Sequence, residues 1–169
     1  MKLLLKKHFP NFAKNLKKGD LSQVLKGISL GEIEHIEKSL GIPLPASYKK
    51  FISLCRGFYL FGGPVQFSSG HPFPHDFPEY EKLSKVQQDV VRQRGGIWPP
   101  PSNGMLCFAE YFWKADGDQV LFQIDRGLIN GEYPVFYYSH ESSPASVTKM
   151  SDSFGDWLEN HCIQDMKSG

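Results

Sequence analysis

The sequence predicts an α+β domain in which helices pack against a largely antiparallel sheet, and three observations predict it. Residues 29–57 carry two well-punctuated amphipathic helical patterns. Residues 105–139 carry short apolar runs separated by Asp116-Gly117 and Asn130-Gly131. Helical spacing returns after Ser151. Strands joined by such short turns run antiparallel, and helices that come before and after a strand meander cover one sheet rather than alternate with it. A chain of 169 residues, 40% of them hydrophobic, is long enough for one well-formed core and too short for two ordinary domains.

Ser29 followed three residues later by Glu32 has the form of a capping box, which satisfies two otherwise unpaired N–H groups at a helix start. Ile33, Ile36 and Leu40 then fall on one stripe, with Glu32, Glu34, Glu37 and Lys38 facing away. Gly41 can adopt the left-handed conformation that closes such a helix, and Pro43 cannot continue it. Pro45 suits the first turn of a second helix, since the N–H it lacks has no partner there. Tyr48, Phe51, Ile52 and Cys55 recur at i, i+3, i+4 and i+7, with Gly57 as the expected stop.

Ahead of this pair, residues 1–28 form a basic helical extension. The apolar positions from Leu3 to Leu25, broken by Pro10 and Gly19-Asp20, read as one or two short amphipathic helices. Seven lysines stand there against one acid, a net of +6, whereas residues 29–169 hold twelve basic and seventeen acidic residues, a net of −5. The lysines lack the arginine and aromatic pattern of base contact. They read as a solvated outer face rather than as an arm for nucleic acid or an anionic membrane. The acidic remainder steers toward a basic partner and repels nucleic acid. Met1 to His8 holds only three consecutive apolar residues, short of the roughly 7–15 of a secretory signal core, so a cytoplasmic protein is expected. No apolar stretch approaches the roughly 18 residues that span a bilayer.

Beyond the helix pair, Tyr59-Leu60-Phe61 and Val65-Gln66-Phe67 flank a Gly62-Gly63-Pro64 break and read as a short strand or strand pair. Residues 68–78 read as loop, and 79–94 as a middle helix through Tyr80, Leu83, Val86, Val90 and Val91. Met105 to Ala109 is short and apolar, as a buried strand is. Asp116-Gly117 fits a hairpin turn between a strand ending near Trp113 and one from Gln119 to Ile124. Asn130-Gly131 turns the chain before a strand from Tyr133 to Ser139. From Ser151 a closing helix presents Phe154, Trp157, Leu158 and either His161 or Cys162 on one side. Residues 164–169 form a tail.

No catalytic constellation emerges. His71-Pro72-Phe73-Pro74-His75-Asp76, with His140 and Glu141 elsewhere, is the nearest approach to a metal site. It lacks regular ligand spacing and reads as a polar loop. Cys55, Cys107 and Cys162 each sit in an apolar pattern and read as reduced, buried thiols, since burial suppresses the thiolate a nucleophile needs. Ser68-Ser69 and Ser142-Ser143 lack a nucleophile elbow, and Gly62-Gly63 and Gly95-Gly96 lack the lysine and hydroxyl of a phosphate loop. Asp116 and Asp118 have a sufficient structural reason in the hairpin turn they flank. The chain is therefore expected to be neither an enzyme nor a cofactor or metal binder. What remains is recognition. Tyr59, Phe61 and Trp113 are aromatics in or beside loops, and Asp76, Glu79, Glu110, Asp116 and Asp118 are acids near them. Together they are the candidate partner-binding residues, because buried aromatics dominate interface hot spots and complementary charge speeds association.

Several segments taken in order resemble one family. Gly41-Ile42-Pro43-Leu44-Pro45-Ala46-Ser47-Tyr48-Lys49-Lys50-Phe51, behind the Glu32-Ile33-Glu34 helix, is similar to the start of the SMI1/KNR4 family of the SUKH superfamily. Gly117-Asp118-Gln119-Val120-Leu121-Phe122-Gln123-Ile124-Asp125 resembles its central strand, Pro134 to Glu141 its next strand, and Ser153-Phe154-Gly155-Asp156-Trp157-Leu158 its closing helix. The resemblance departs at Arg56, where the family usually has asparagine before the turn glycine. It implies a SUKH-like domain over residues 29–163, with the helix pair, middle helix and closing helix packed against the sheet. It also implies a bacterial immunity protein, monomeric or weakly dimeric, that binds and neutralises a cognate toxin. A basic nuclease is the implied partner, with no direct contact to nucleic acid or membrane. The alternative that the family offers is a regulatory interaction module of cell-wall synthesis signalling.

Overall fold

A computed structural model describes residues 2–16, 25–57, 65–67, 104–111, 118–139 and 146–163. Two short helices open the chain, α1 (Lys2–His8) and α2 (Pro10–Asn15), with Pro10 in the first turn of α2. The strand β1 (Leu25–Lys26) leads to α3 (Leu30–Leu40), α4 (Ala46–Leu54) and β2 (Cys55–Gly57). Then come β3 (Val65–Phe67), β4 (Met105–Tyr111), β5 (Asp118–Gln123), β6 (Val135–Ser139) and β7 (Ser146–Ser151). The closing helix starts as α5 (Phe154–Asp156) and runs directly into a π-helical stretch, Trp157–His161.

Among the described residues the strands form a five-stranded antiparallel sheet in the order β3-β4-β5-β6-β7 and a two-stranded ribbon, β1-β2. The α+β class is as the sequence predicts. The strand order is the simple meander that short turns impose.

The capping box at α3 forms. Ser29 N–H donates to Glu32 Oε2 at 2.8 Å, and Glu32 N–H donates back to Ser29 Oγ at 3.3 Å. Gly41 closes α3 at φ 69°. Glu37 then spans the proline link: its Oε1 accepts from Leu44 N–H at 2.7 Å and from Lys49 Nζ at 3.0 Å, binding α3 to α4. Asn130 and Gly131 both have positive φ, 53° and 79°, inside an Ile129–Glu132 bridge. That is the two-residue turn with both central residues left-handed that the dipeptide favours.

Three expectations need correction. Helix α4 ends at Leu54 rather than at Gly57, because Cys55–Gly57 leaves the helix to pair with Leu25–Lys26. Cys55 is buried as a strand residue, not as the fourth member of a helical stripe. Residues 146–151 form a strand paired with β6, so the closing helix begins only at Phe154, capped by Ser153. The alternative between His161 and Cys162 resolves to Cys162. The wider π turn bonds Cys162 N–H to Trp157 O, which brings the cysteine fully under the core while His161 stays half-exposed. The expected middle helix, residues 79–94, lies outside the described residues.

The core is an aromatic cluster between the helices and one face of the sheet. Phe154 lies 5.1 Å from Tyr48, 5.2 Å from Phe51 and 5.5 Å from Phe108, all measured between ring centroids. Phe108 stacks on Phe122 at 4.0 Å. Leu5, Phe9, Phe12, Ala13 and Leu16 of the first two helices are buried in this same cluster.

Candidate functional site

A sheet has two faces, and residues two apart on a strand share one. Phe108, Val120, Phe122 and Val135 face the helices and belong to the main core. The other face carries a separate apolar cluster built, among the described residues, by strands alone: Cys107 and Leu121 are buried, with Met105, Phe136 and Tyr138 half-buried against them. The register lines these up. Cys107 lies opposite Leu121, and Leu121 opposite Phe136. In the next row Gln66 lies opposite Glu110, Glu110 opposite Gln119, Gln119 opposite Tyr138, and Tyr138 opposite Val147. A bulge between Cys107 and Ala109 lets both Phe108 and Ala109 turn to the core without disturbing this face.

Gln119 stands at the middle of the second row. Its side chain is fully buried, and neither Nε2 nor Oε1 has a hydrogen-bond partner among the described residues. A buried amide left without a partner costs about 1–3 kcal/mol. An amide offers one donor group and one acceptor side by side, the complement of a peptide group. Val147, toward the open end of this row, is exposed, as are Thr148 and Lys149 beside it on β7. Lys149 is held by an ion pair to Asp152.

Of the candidate partner-binding residues, Glu110 and Asp118 fall on adjacent strands at the same end of the β4–β5 pair. Glu110 is opposite Gln119, and Asp118 is opposite Tyr111. Tyr59, Phe61, Asp76, Glu79, Trp113 and Asp116 lie outside the described residues, as do His71, His75, His140 and Glu141. Gln119, Phe136 and Tyr138 were not among the candidates. Gln119 is placed only by the register, while a partial signal for Phe136 and Tyr138 is the run Val135-Phe136-Tyr137-Tyr138. It is apolar at both parities, and a strand that is apolar on both faces has both faces occupied.

Two further acids, both half-buried, do structural work. Pro45 cannot cap α4, and Glu132 does it from across the chain. Its Oε1 accepts from Ser47 N–H at 2.8 Å and its Oε2 from Ser47 Oγ–H at 2.6 Å, while Ser47 Oγ accepts from Gly155 N–H at 3.1 Å. Glu159 does the same for α2, its Oε2 accepting from Asn11 N–H at 2.7 Å and Phe12 N–H at 3.2 Å. A carboxylate at a helix N-terminus also meets the positive end of the helix dipole.

No group of three or more His, Cys, Asp or Glu side chains could hold a metal ion among the described residues. All three cysteines are buried thiols. Burial pushes the Cys55 thiol up to about 12, far from thiolate at neutral pH. No described helix is long and apolar enough to cross a membrane.

Comparison with curated proteins gives no match. The model of the SMI1 / KNR4 family (SUKH-1) matches residues 27–160, a span from just after β1 into the π-helical stretch. With the helix pair, the meander and the closing helix all in that order, the chain belongs to the SMI1/KNR4 (SUKH-1) family.

Proposed function

We infer that the protein is an immunity protein that binds a cognate toxin stoichiometrically and blocks it, without catalysis or cofactor, and that the toxin is a nuclease. The observation that carries this reading is the second apolar cluster, on the sheet face turned away from the described helices. Phe136, Tyr138 and Met105 are half-buried there, Gln119 lies opposite Tyr138, and two acids stand at one strand end. Partly exposed aromatics supply hot-spot area. The net of −5 over residues 29–169 suits the basic face of an enzyme that grips phosphate backbones. Family membership is consistent with this role.

The test is co-expression with the toxin encoded beside the gene. The expected result is rescue of growth and a one-to-one complex. Charge reversal by Glu110→Lys with Asp118→Lys, or the milder Tyr138→Phe, should weaken that complex, each judged against the variant's own thermal melt. Failure both to rescue and to co-purify sinks the proposal. Binding to a signalling protein without rescue of growth would favour the regulatory-module alternative.

A further inference from the structure

We propose that α1 is a docking ridge for an anionic lipid surface, a reversal of the sequence reading of its lysines as a merely solvated face that the exposure of Leu3 and Leu4 beside them motivates. Of its three consecutive leucines only Leu5 is buried. Leu3 is 83% exposed and Leu4 52% exposed, the former the most exposed large apolar side chain among the described residues. At 100° per residue, Lys7 lies one turn beyond both leucines and Lys6 flanks Leu3 on the other side. Leu5 points the opposite way, into the core. Lys6, Lys7, His8 and Lys14 are exposed, and Asp20 is the single acid in the first 28 residues. Lys50 of α4 extends the positive field. The His8 imidazole is held below its ordinary pKa by partial desolvation and by the neighbouring charges of Lys50 and Lys7.

The occupant must accept two aliphatic side chains and several cations at nearly the same depth. The leucines stand out from a convex ridge rather than line a groove. Nucleic acid offers phosphate but no apolar layer. An acidic protein would have to provide a fitted pocket for each leucine. A lipid interface offers an apolar layer directly beneath a layer of anionic headgroups, and lysine stems reach from one to the other. The ridge is already ordered, because Leu5, Phe9 and Phe12 anchor α1 and α2 in the core, so docking costs little conformational entropy.

The experiment is flotation of the full chain with vesicles of phosphatidylserine and phosphatidylcholine at low salt. Vesicles of phosphatidylcholine alone and a duplex DNA serve as the other arms. The protein should float with the anionic vesicles and not with the neutral ones. Leu3→Ala with Leu4→Ala, and separately Lys6→Glu with Lys7→Glu, should each cut binding about tenfold. All four side chains are exposed, so the variants should keep the native thermal melt, which checks their folding. Absence of flotation, flotation unchanged in the leucine variant, or tighter binding to the DNA than to the vesicles overturns the proposal. Because it invokes no toxin, its failure leaves the immunity reading intact, and the reverse also holds.

Discussion

Glu159 shows how much one side chain holds. Two N–H groups from the first turn of α2, 148 and 147 residues away, donate to its Oε2, while Oε1 is buried with no hydrogen-bond partner among the described residues. Desolvation raises its pKa above 4.5, against the two backbone hydrogen bonds, which lower it. A carboxyl whose folded pKa is raised holds more protons folded than unfolded. Its contribution is therefore full below the unfolded value and is lost as pH rises through the folded one. Urea denaturation at a series of pH values should show wild type losing stability relative to Glu159→Gln as pH climbs above about 4.5. Glu159→Ala should cost about 1–3 kcal/mol, since it strands two donors at the helix start. A wild-type advantage over Glu159→Gln that grew with pH would contradict this account.

At the scale of elements, the helices divide by where their caps come from. The starts of α3 and α5 are written locally, as Ser29 with Glu32 and as Ser153, whose Oγ accepts from Asp156 N–H at 3.1 Å; the first is read directly from the sequence, whereas the sequence pattern places the second two residues early, at Ser151. The starts of α2 and α4 are headed by Phe9 and Pro45, which have no capping oxygen. Their caps, Glu159 and Glu132, arrive only when the chain has folded, so no local pattern reveals them. The same divide explains the strands. The Asn130-Gly131 turn and the apolar run at Met105 announce themselves. Strands β1, β2 and β7 exist because a partner strand is there, and neither Leu25–Lys26 nor the polar Ser146–Ser151 advertises a period-2 pattern. The candidate site was legible only at its rim, in Glu110 and Asp118, because Gln119 and Tyr138 gain meaning from cross-strand register. A double-mutant cycle on Glu132→Ala and Ser47→Ala tests the remote cap. Each single change should cost about 1–2 kcal/mol, and the pair should cost less than the sum by at least about 0.5 kcal/mol. Strict additivity would mean the contact contributes nothing.

The whole molecule is larger than the span the family model matches. Residues 27–160 exclude α1, α2, Cys162 and Ile163. Yet Leu5, Phe12 and Cys162 are fully buried in the same cluster as Phe51 and Phe154, with Phe9 and Ile163 nearly so. The Phe9 and Phe12 rings stand edge-on to Phe51 at 5.8 and 6.2 Å, and Phe9 also meets Phe154 at 6.5 Å. The N-terminal helices thus fill one side of the core while Lys2, Lys6, Lys7 and Lys14 stay exposed, which reconciles their charge with the burial of Leu5 and Phe12. Removing it exposes the outer surface of α4 and the closing helix together. Phe12→Ala alone should cost about 3–5 kcal/mol, a large share of the roughly 5–15 kcal/mol that holds an ordinary domain. A chain trimmed to residues 27–160 should lose the cooperative thermal transition and bind a hydrophobic dye, with helical circular dichroism partly retained. If the trimmed chain instead melts cooperatively near the wild-type temperature, the N-terminal helices are an appendage, and the core closes without them.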